Sequence, residues 1–64
     1  MNFHEAADEI AAIERRVSDA IYESLRAQVR DEGADEAAAL EKRLSKVRRA
    51  LQKAEGLLRG TESD

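Results

Sequence analysis

The stretch AAALEKRLSKVRRALQKAEGLL, residues 37–58, decides the fold of this 64-residue chain. Its apolar residues recur at alternating spacings of three and four: Ala37, Leu40, Leu44, Val47, Leu51, Ala54 and Leu58. This heptad pattern is typical of an α-helix with one narrow apolar stripe that packs against one neighbouring helix. The sequence therefore predicts a helix over about 36–59, with an interface formed by Leu40, Leu44, Val47, Leu51 and Leu58.

A helix over about 3–31 is predicted before this stretch. Asn2 followed by Glu5 is a start signal, because the Asn side chain accepts an otherwise unpaired backbone N–H and the Glu reaches back to the cap. Arg26 and Arg30 suit the negative end of the helix dipole. Gly33 is expected to take the left-handed conformation just beyond the last turn.

The connection between the two predicted helices is short, about 32–35. Asp35 is expected to cap the second helix, and Gly60 is expected to end it in the left-handed conformation. Residues 61–64 form a polar tail that we expect to be flexible. Because a short connection makes the two helices antiparallel neighbours, the sequence predicts an all-α fold, a single αα-hairpin over residues 1–60.

The apolar residues of the first helix spread over roughly 200° of its circumference, about twice the arc that one neighbouring helix covers. The excess predicts a second interface, with another hairpin or with a different protein. The first helix contributes these interface residues: Ile10, Ile13, Val17, Ile21, Tyr22, Leu25 and Val29.

Composition indicates that the hairpin needs a partner. The chain has no cysteine, and Leu, Ile, Val and Phe together supply only 13 residues. A chain of this size builds a small core, and a bare two-helix hairpin encloses no interior. Since two-fold homodimers are the commonest oligomers, we expect two hairpins to form a four-helix bundle.

Charge is divided between the two halves of the chain. Residues 1–36 hold 10 acids and 4 bases, whereas residues 37–59 hold 2 acids and 7 bases. Hairpin geometry brings these halves together, so we expect opposite charges along the helix pair. The expected neighbours are Glu23 with Arg43, Asp19 with Lys46 or Val47, and Glu14 with Arg49 or Lys53.

Four bases of the second helix point away from its apolar stripe: Lys42, Lys46, Arg49 and Lys53. Their spacing of four, three and four could follow the phosphates of a nucleic acid or an acidic protein surface. No aromatic residue interleaves with them, and the sequence pI of about 5.1 is far from that of a typical nucleic-acid-binding domain. An ordinary solvated face is the simpler interpretation.

The segment ADEAAALEKRL, residues 34–44, resembles the turn and second-helix start of the Rop family. Rop proteins dimerise into four-helix bundles and bind paired RNA loops, which is what the resemblance implies. The stretch that corresponds to the RNA-binding face of that family carries Ile13, Val17 and Ile21, where the family has polar, basic and aromatic residues. The resemblance therefore concerns architecture, and Rop-like RNA binding is the alternative function.

Catalytic and metal-binding chemistry is not predicted. His4 is the only histidine, and with Asp8 it would give a metal only two exposed ligands. Glu14, Asp19 and Glu23 fall at the margin of the apolar arc, where solvated or ion-paired carboxylates are expected. We therefore expect no catalytic residue, no cofactor, no metal and no small-molecule substrate.

The sequence also excludes a membrane-spanning segment, because no uncharged run exceeds four residues. The expected protein is a small cytoplasmic regulator, inhibitor or accessory protein of bacterial or phage type. It is expected to form a homodimer and to bind a partner protein through the broad apolar face of its first helix, with Tyr22 as a candidate anchor.

Overall fold

The computed structural model describes residues 2–60 of the chain, which form two helices. Helix α1 runs over Phe3–Val29 and helix α2 over Ala34–Arg59, and the two pack against each other as an antiparallel hairpin. The predicted all-α hairpin is confirmed. The Cα atoms span 44 × 23 × 13 Å, so the hairpin is a single layer with no enclosed interior.

Helix α1 begins at the cap that the sequence predicts. The Asn2 side chain accepts hydrogen bonds from the backbone N–H of His4 at 2.9 Å and of Glu5 at 3.2 Å. The Asn2 amide in turn donates to the Glu5 carboxylate at 3.4 Å. These bonds satisfy N–H groups that the first turn of a helix leaves unpaired.

The turn between the helices differs from the expectation that Gly33 ends α1 and Asp35 caps α2. Asp31, at φ +58°, takes the left-handed position after α1. Its N–H donates to Gln28, and the N–H of Glu32 donates to Ala27, the hydrogen-bond pair of a Schellman motif. Gly33, at φ +59°, instead caps α2 without a side-chain hydrogen bond. Residues 31 and 33 therefore both take the left-handed conformation that glycine adopts most easily, and α2 begins at Ala34.

Helix α2 ends at Gly60, which is left-handed at φ +71° and donates to the carbonyls of Gly56 and Leu57. This residue takes the conformation that the sequence predicts for it. The expected flexible tail, residues 61–64, lies outside the described residues.

The core is thin and comes from α1 alone. Ala7, Ile21 and Ser24 are buried, and α2 has no buried residue. Ser24 tolerates burial because its hydroxyl donates to the carbonyl of Ala20 at 3.0 Å, within its own helix. Ile21 is therefore the one large apolar side chain that is buried within residues 2–60, and the other large apolar side chains between the helices are half-buried.

The two helices meet along a strip of buried and half-buried residues that we call the seam. It comprises residues 7, 10, 14, 17, 21, 24 and 28 of α1 with residues 37, 41, 44, 48, 51, 55 and 58 of α2. Of the predicted apolar stripe of α2, Ala37, Leu44, Leu51 and Leu58 lie at the seam, and the other three residues do not. Glu41, Arg48 and Glu55 stand at the seam where the sequence suggested Leu40, Val47 and Ala54.

Candidate functional site

The seam divides the broad apolar arc of α1 into three parts. Ile10, Val17 and Ile21 turn toward α2 and are half-buried or buried. Ile13 and Leu25 are exposed and flank Ile21 on opposite sides of the helix. The arc that looked like one surface in sequence is therefore two exposed surfaces separated by the packed seam.

The first exposed surface, which we call the turn pocket, lies on α1 near the connection to α2. It is a shallow pocket of about 290 Å³ lined by Tyr22, Leu25, Arg26, Val29 and Arg30. Tyr22 and Val29 are 62% and 87% exposed. The Arg26 guanidinium lies 5.8 Å from the centre of the Tyr22 ring, within cation–π range. An apolar floor bordered by an aromatic ring and arginines is typical of a protein-binding hot spot.

The second surface, which we call the alanine face, lies on the other side of the seam; its three large side chains are exposed and its four alanines are half-buried. Its members each precede a seam residue by one position: Ala6, Ile13, Ala20 and Ala27 on α1, and Leu40, Val47 and Ala54 on α2. In an antiparallel pair, such positions of both helices lie along the same side. None of the seven carries a charge, and the small side chains of the four alanines leave room for another helix to approach closely.

Polar contacts between the helices lie on the side opposite the alanine face and fix the register of the hairpin. Arg59 donates to Asp8 at 2.8 Å, and Arg48 donates to Ser18 at 3.4 Å. Arg59 also holds Glu55 within its own helix at 2.8 Å. In this register Ala20 lies level with Val47.

Two carboxyl groups meet across the seam beside Arg59. A hydrogen bond to Glu55, with burial and the Glu55 charge, raises the pKa of Glu14. The same bond, followed by that from Arg59, lowers the pKa of Glu55. Glu14 Oε2 is buried and, with both carboxylates ionised, has no hydrogen-bond partner, so the bond requires one proton on the pair. The expectation that Glu14 meets Arg49 or Lys53 is therefore wrong.

The other predicted ion pairs across the hairpin are also not formed within residues 2–60. Glu23 pairs with Arg26 of its own helix at 3.5 Å rather than with Arg43, and Asp19 makes no ion pair in this part of the chain. Helix α2 is rotated about its own axis relative to the predicted orientation. Arg48 and Arg59, rather than the predicted basic residues, therefore form the polar contacts with α1. The one ion pair between the helices in the described range is Arg59 with Asp8.

The basic stripe of α2 is free of these contacts. Lys42, Lys46, Arg49 and Lys53 are exposed, and none forms an ion pair within the described range. They follow the outer side of α2, away from the seam.

Sequence reasoning missed the polar cluster of Asp8, Glu14, Glu55 and Arg59. The available signal was a polar residue every seven positions of α2, at Glu41, Arg48 and Glu55. Heptad-spaced polar residues can mark a contact side as well as a solvated one.

No protein-family model, curated protein or solved structure matches this chain. Within residues 2–60, no group of three or more His, Asp or Glu side chains is placed to hold a metal ion. Neither helix in that range has a segment apolar and long enough to cross a membrane.

Proposed function

We propose that this protein is a non-enzymatic helical interaction module that self-associates and binds a partner protein through the turn pocket. The observation that carries the proposal is the presence of two exposed apolar surfaces on opposite sides of one thin hairpin. A single hairpin covers neither of them, and an apolar surface bordered by polar residues is typical of an interaction site. A dimer of hairpins forming a four-helix bundle would give the chain the core that it lacks.

Tyr22 is the anchor that we assign to partner binding. Its ring is mostly exposed and borders the pocket between Leu25 and Arg26, so a partner side chain placed there would desolvate it. Aromatic and arginine side chains dominate binding energy at protein interfaces. Since Tyr22 contributes little to the hairpin seam, its removal should affect binding without unfolding the helices.

The experiment compares affinity capture from the source cells by the wild-type chain, Tyr22→Ala and Leu57→Ala. Leu57 is a matched control because it is an exposed apolar residue outside the turn pocket, at 57% exposure. We expect Tyr22→Ala to lose the captured protein, and Leu57→Ala to keep it, with equal helicity by circular dichroism. Equal capture by wild type and Tyr22→Ala would contradict the assignment.

Self-association is measured by sedimentation velocity at micromolar concentrations. We expect the mass of two chains, with a shift toward one chain on dilution. A folded chain that sediments as a monomer throughout this range would contradict the self-associating part of the proposal.

Nucleic-acid binding is the second candidate function, favoured by the exposed cations of the basic stripe, which form no ion pair within residues 2–60. It predicts an affinity for RNA or DNA that falls steeply with salt, because phosphate contacts release counterions. The double change Lys46→Glu and Arg49→Glu should abolish it. Absence of gel retardation at low salt would remove this candidate.

A further inference from the structure

The alanine face leaves large apolar side chains in water along both helices. Ile13, Leu40 and Val47 are 44%, 44% and 41% exposed, although they lie next to the seam. Covering such side chains is favourable by about 25 cal/mol per Å² of apolar surface removed from water. We infer that a second copy of this chain covers the alanine face, laid on it face to face. This inference rests on the proposed self-association and names the surface that performs it.

The shape of the alanine face fits a copy of itself. In the hairpin register, Ile13 lies level with Ala54, and Leu40 lies level with Ala27. A two-fold axis along the helices places each large side chain against the level alanine of the second copy. A two-fold axis across the helices at Ala20 instead places Ile13 against Ala27 and Leu40 against Ala54. With the axis along the helices, every large side chain meets an alanine, which allows dense packing between helix layers. With the axis across the helices, Ile13 and Leu40 meet alanines, and Val47 meets Val47 of the second copy.

The charges that border the alanine face are also self-complementary. On α1 the border residues alternate in sign at intervals of seven: Glu9, Arg16, Glu23 and Arg30. With the two-fold axis across the helices, Glu9 meets Arg30 and Arg16 meets Glu23 of the second copy. With the axis along the helices, the α2 border residues Glu36 and Arg43 meet Arg30 and Glu23, and the uncharged Ala50 and Leu57 meet Arg16 and Glu9.

These border charges supply partner choice more than stability, since exposed ion pairs contribute about 0–1 kcal/mol each. Opposite charges that meet only when the chain faces itself favour a second copy over an unrelated helix. Apart from Arg30, which also borders the alanine face, the residues that line the turn pocket lie on the other side of the hairpin. The resulting four-helix bundle therefore leaves two pockets open on its outer surfaces.

Disulfide trapping tests the surface directly, because the natural chain has no cysteine. Ala20→Cys and Val47→Cys are oxidised separately and as a mixture, with the exposed Lys46→Cys as the matched control. If the two-fold axis crosses the helices, each variant forms a covalent dimer with itself. If it runs along them, only the mixture forms a mixed dimer. Either result supports the inference, and trapping no greater than that of Lys46→Cys overturns it.

A charge placed in the face gives an independent test. Ala20→Arg puts a cation in the proposed interface and should raise the dimer dissociation constant at least about a hundredfold, because an unpaired buried charge is strongly unfavourable. Asp19→Arg places the same charge on the neighbouring exposed residue and should leave the dimer dissociation constant unchanged. Helicity of both variants is checked by circular dichroism.

Two results distinguish an error about the alanine face from an absence of self-association. A wild-type chain that is dimeric, whose dimer survives Ala20→Arg and gives no trapped species, would overturn the alanine face alone. A wild-type chain that is monomeric at all concentrations would overturn the proposed self-association as well.

Discussion

The guanidinium of Arg59 donates to Asp8 at 2.8 Å and joins the last turn of α2 to the second turn of α1. The same guanidinium holds Glu55 at 2.8 Å, and these carboxylates raise the pKa of Arg59. One side chain therefore ties the open end of the hairpin, where no covalent connection keeps the helices together.

Replacing Arg59 with Gln should loosen this end without unfolding the hairpin. We expect faster amide hydrogen exchange in the first two turns of α1 and the last two turns of α2, because local opening there no longer breaks the Asp8 contact. Arg49→Gln is the control, since Arg49 is exposed and makes no ion pair within the described residues. Equal exchange in both variants would show that the Arg59 contact does not hold the end.

The Glu14–Glu55 pair should make stability depend on pH in the acidic range. The pKa of Glu14 is raised above its ordinary 4.5, so its stabilising effect is full below 4.5 and is lost as pH rises through the folded-state value. The pKa of Glu55 is lowered, so its stabilising effect is present above 4.5 and is lost as pH falls. The two effects overlap near pH 4.5, where the pair shares one proton.

Glu14→Gln tests this linkage, because the amide donates a hydrogen bond to Glu55 without a titrating proton. We expect the wild-type melting temperature to fall between pH 4.5 and 7, and the fall to be smaller in Glu14→Gln. Asp19→Asn removes an exposed carboxylate on the same helix and should retain the wild-type slope. Parallel pH profiles for wild type and Glu14→Gln would refute the shared proton.

How far sequence predicts this hairpin depends on whether a feature is local. The Asn2 cap, the left-handed Gly60 and the two helices follow from residues within a few positions, and the structure contains them. The rotation of α2 about its own axis does not follow from nearby residues, because the heptad pattern places apolar Leu40 and polar Glu41 at adjacent positions. The side of α2 that faces α1 brings Arg48 to Ser18 and Arg59 to Asp8, and these partners lie far away in sequence.

The candidate surfaces show the same division. Sequence identified the excess apolar arc of α1 because the arc is a property of one helix. It did not separate the turn pocket from the alanine face, since the division is made by where α2 lies. Ser24 was missed because burial of a hydroxyl depends on how closely the helices approach.

The turn residues Asp31 and Gly33 predict opposite effects of substitution. Asp31 holds φ +58°, where a side chain is strained, so Asp31→Gly should raise the free energy of unfolding by up to about 1 kcal/mol. Gly33 holds φ +59°, so Gly33→Ala should lower it by about 1 kcal/mol. Urea titration measures both. A loss of stability in Asp31→Gly would mean that the aspartate side chain stabilises the turn.

Ile21 should dominate the stability of the hairpin because it is the one large apolar side chain that is buried in the described residues, at 7% exposure. Deleting a buried isoleucine side chain to alanine costs about 2–5 kcal/mol, a large fraction of the stability of any small domain. We expect Ile21→Ala to lose most of its helical circular dichroism at 25 °C. Leu57→Ala removes an exposed side chain of similar size and should shift stability by less than about 0.5 kcal/mol. If the two variants melted at the same temperature, Ile21 would not be the centre of the core.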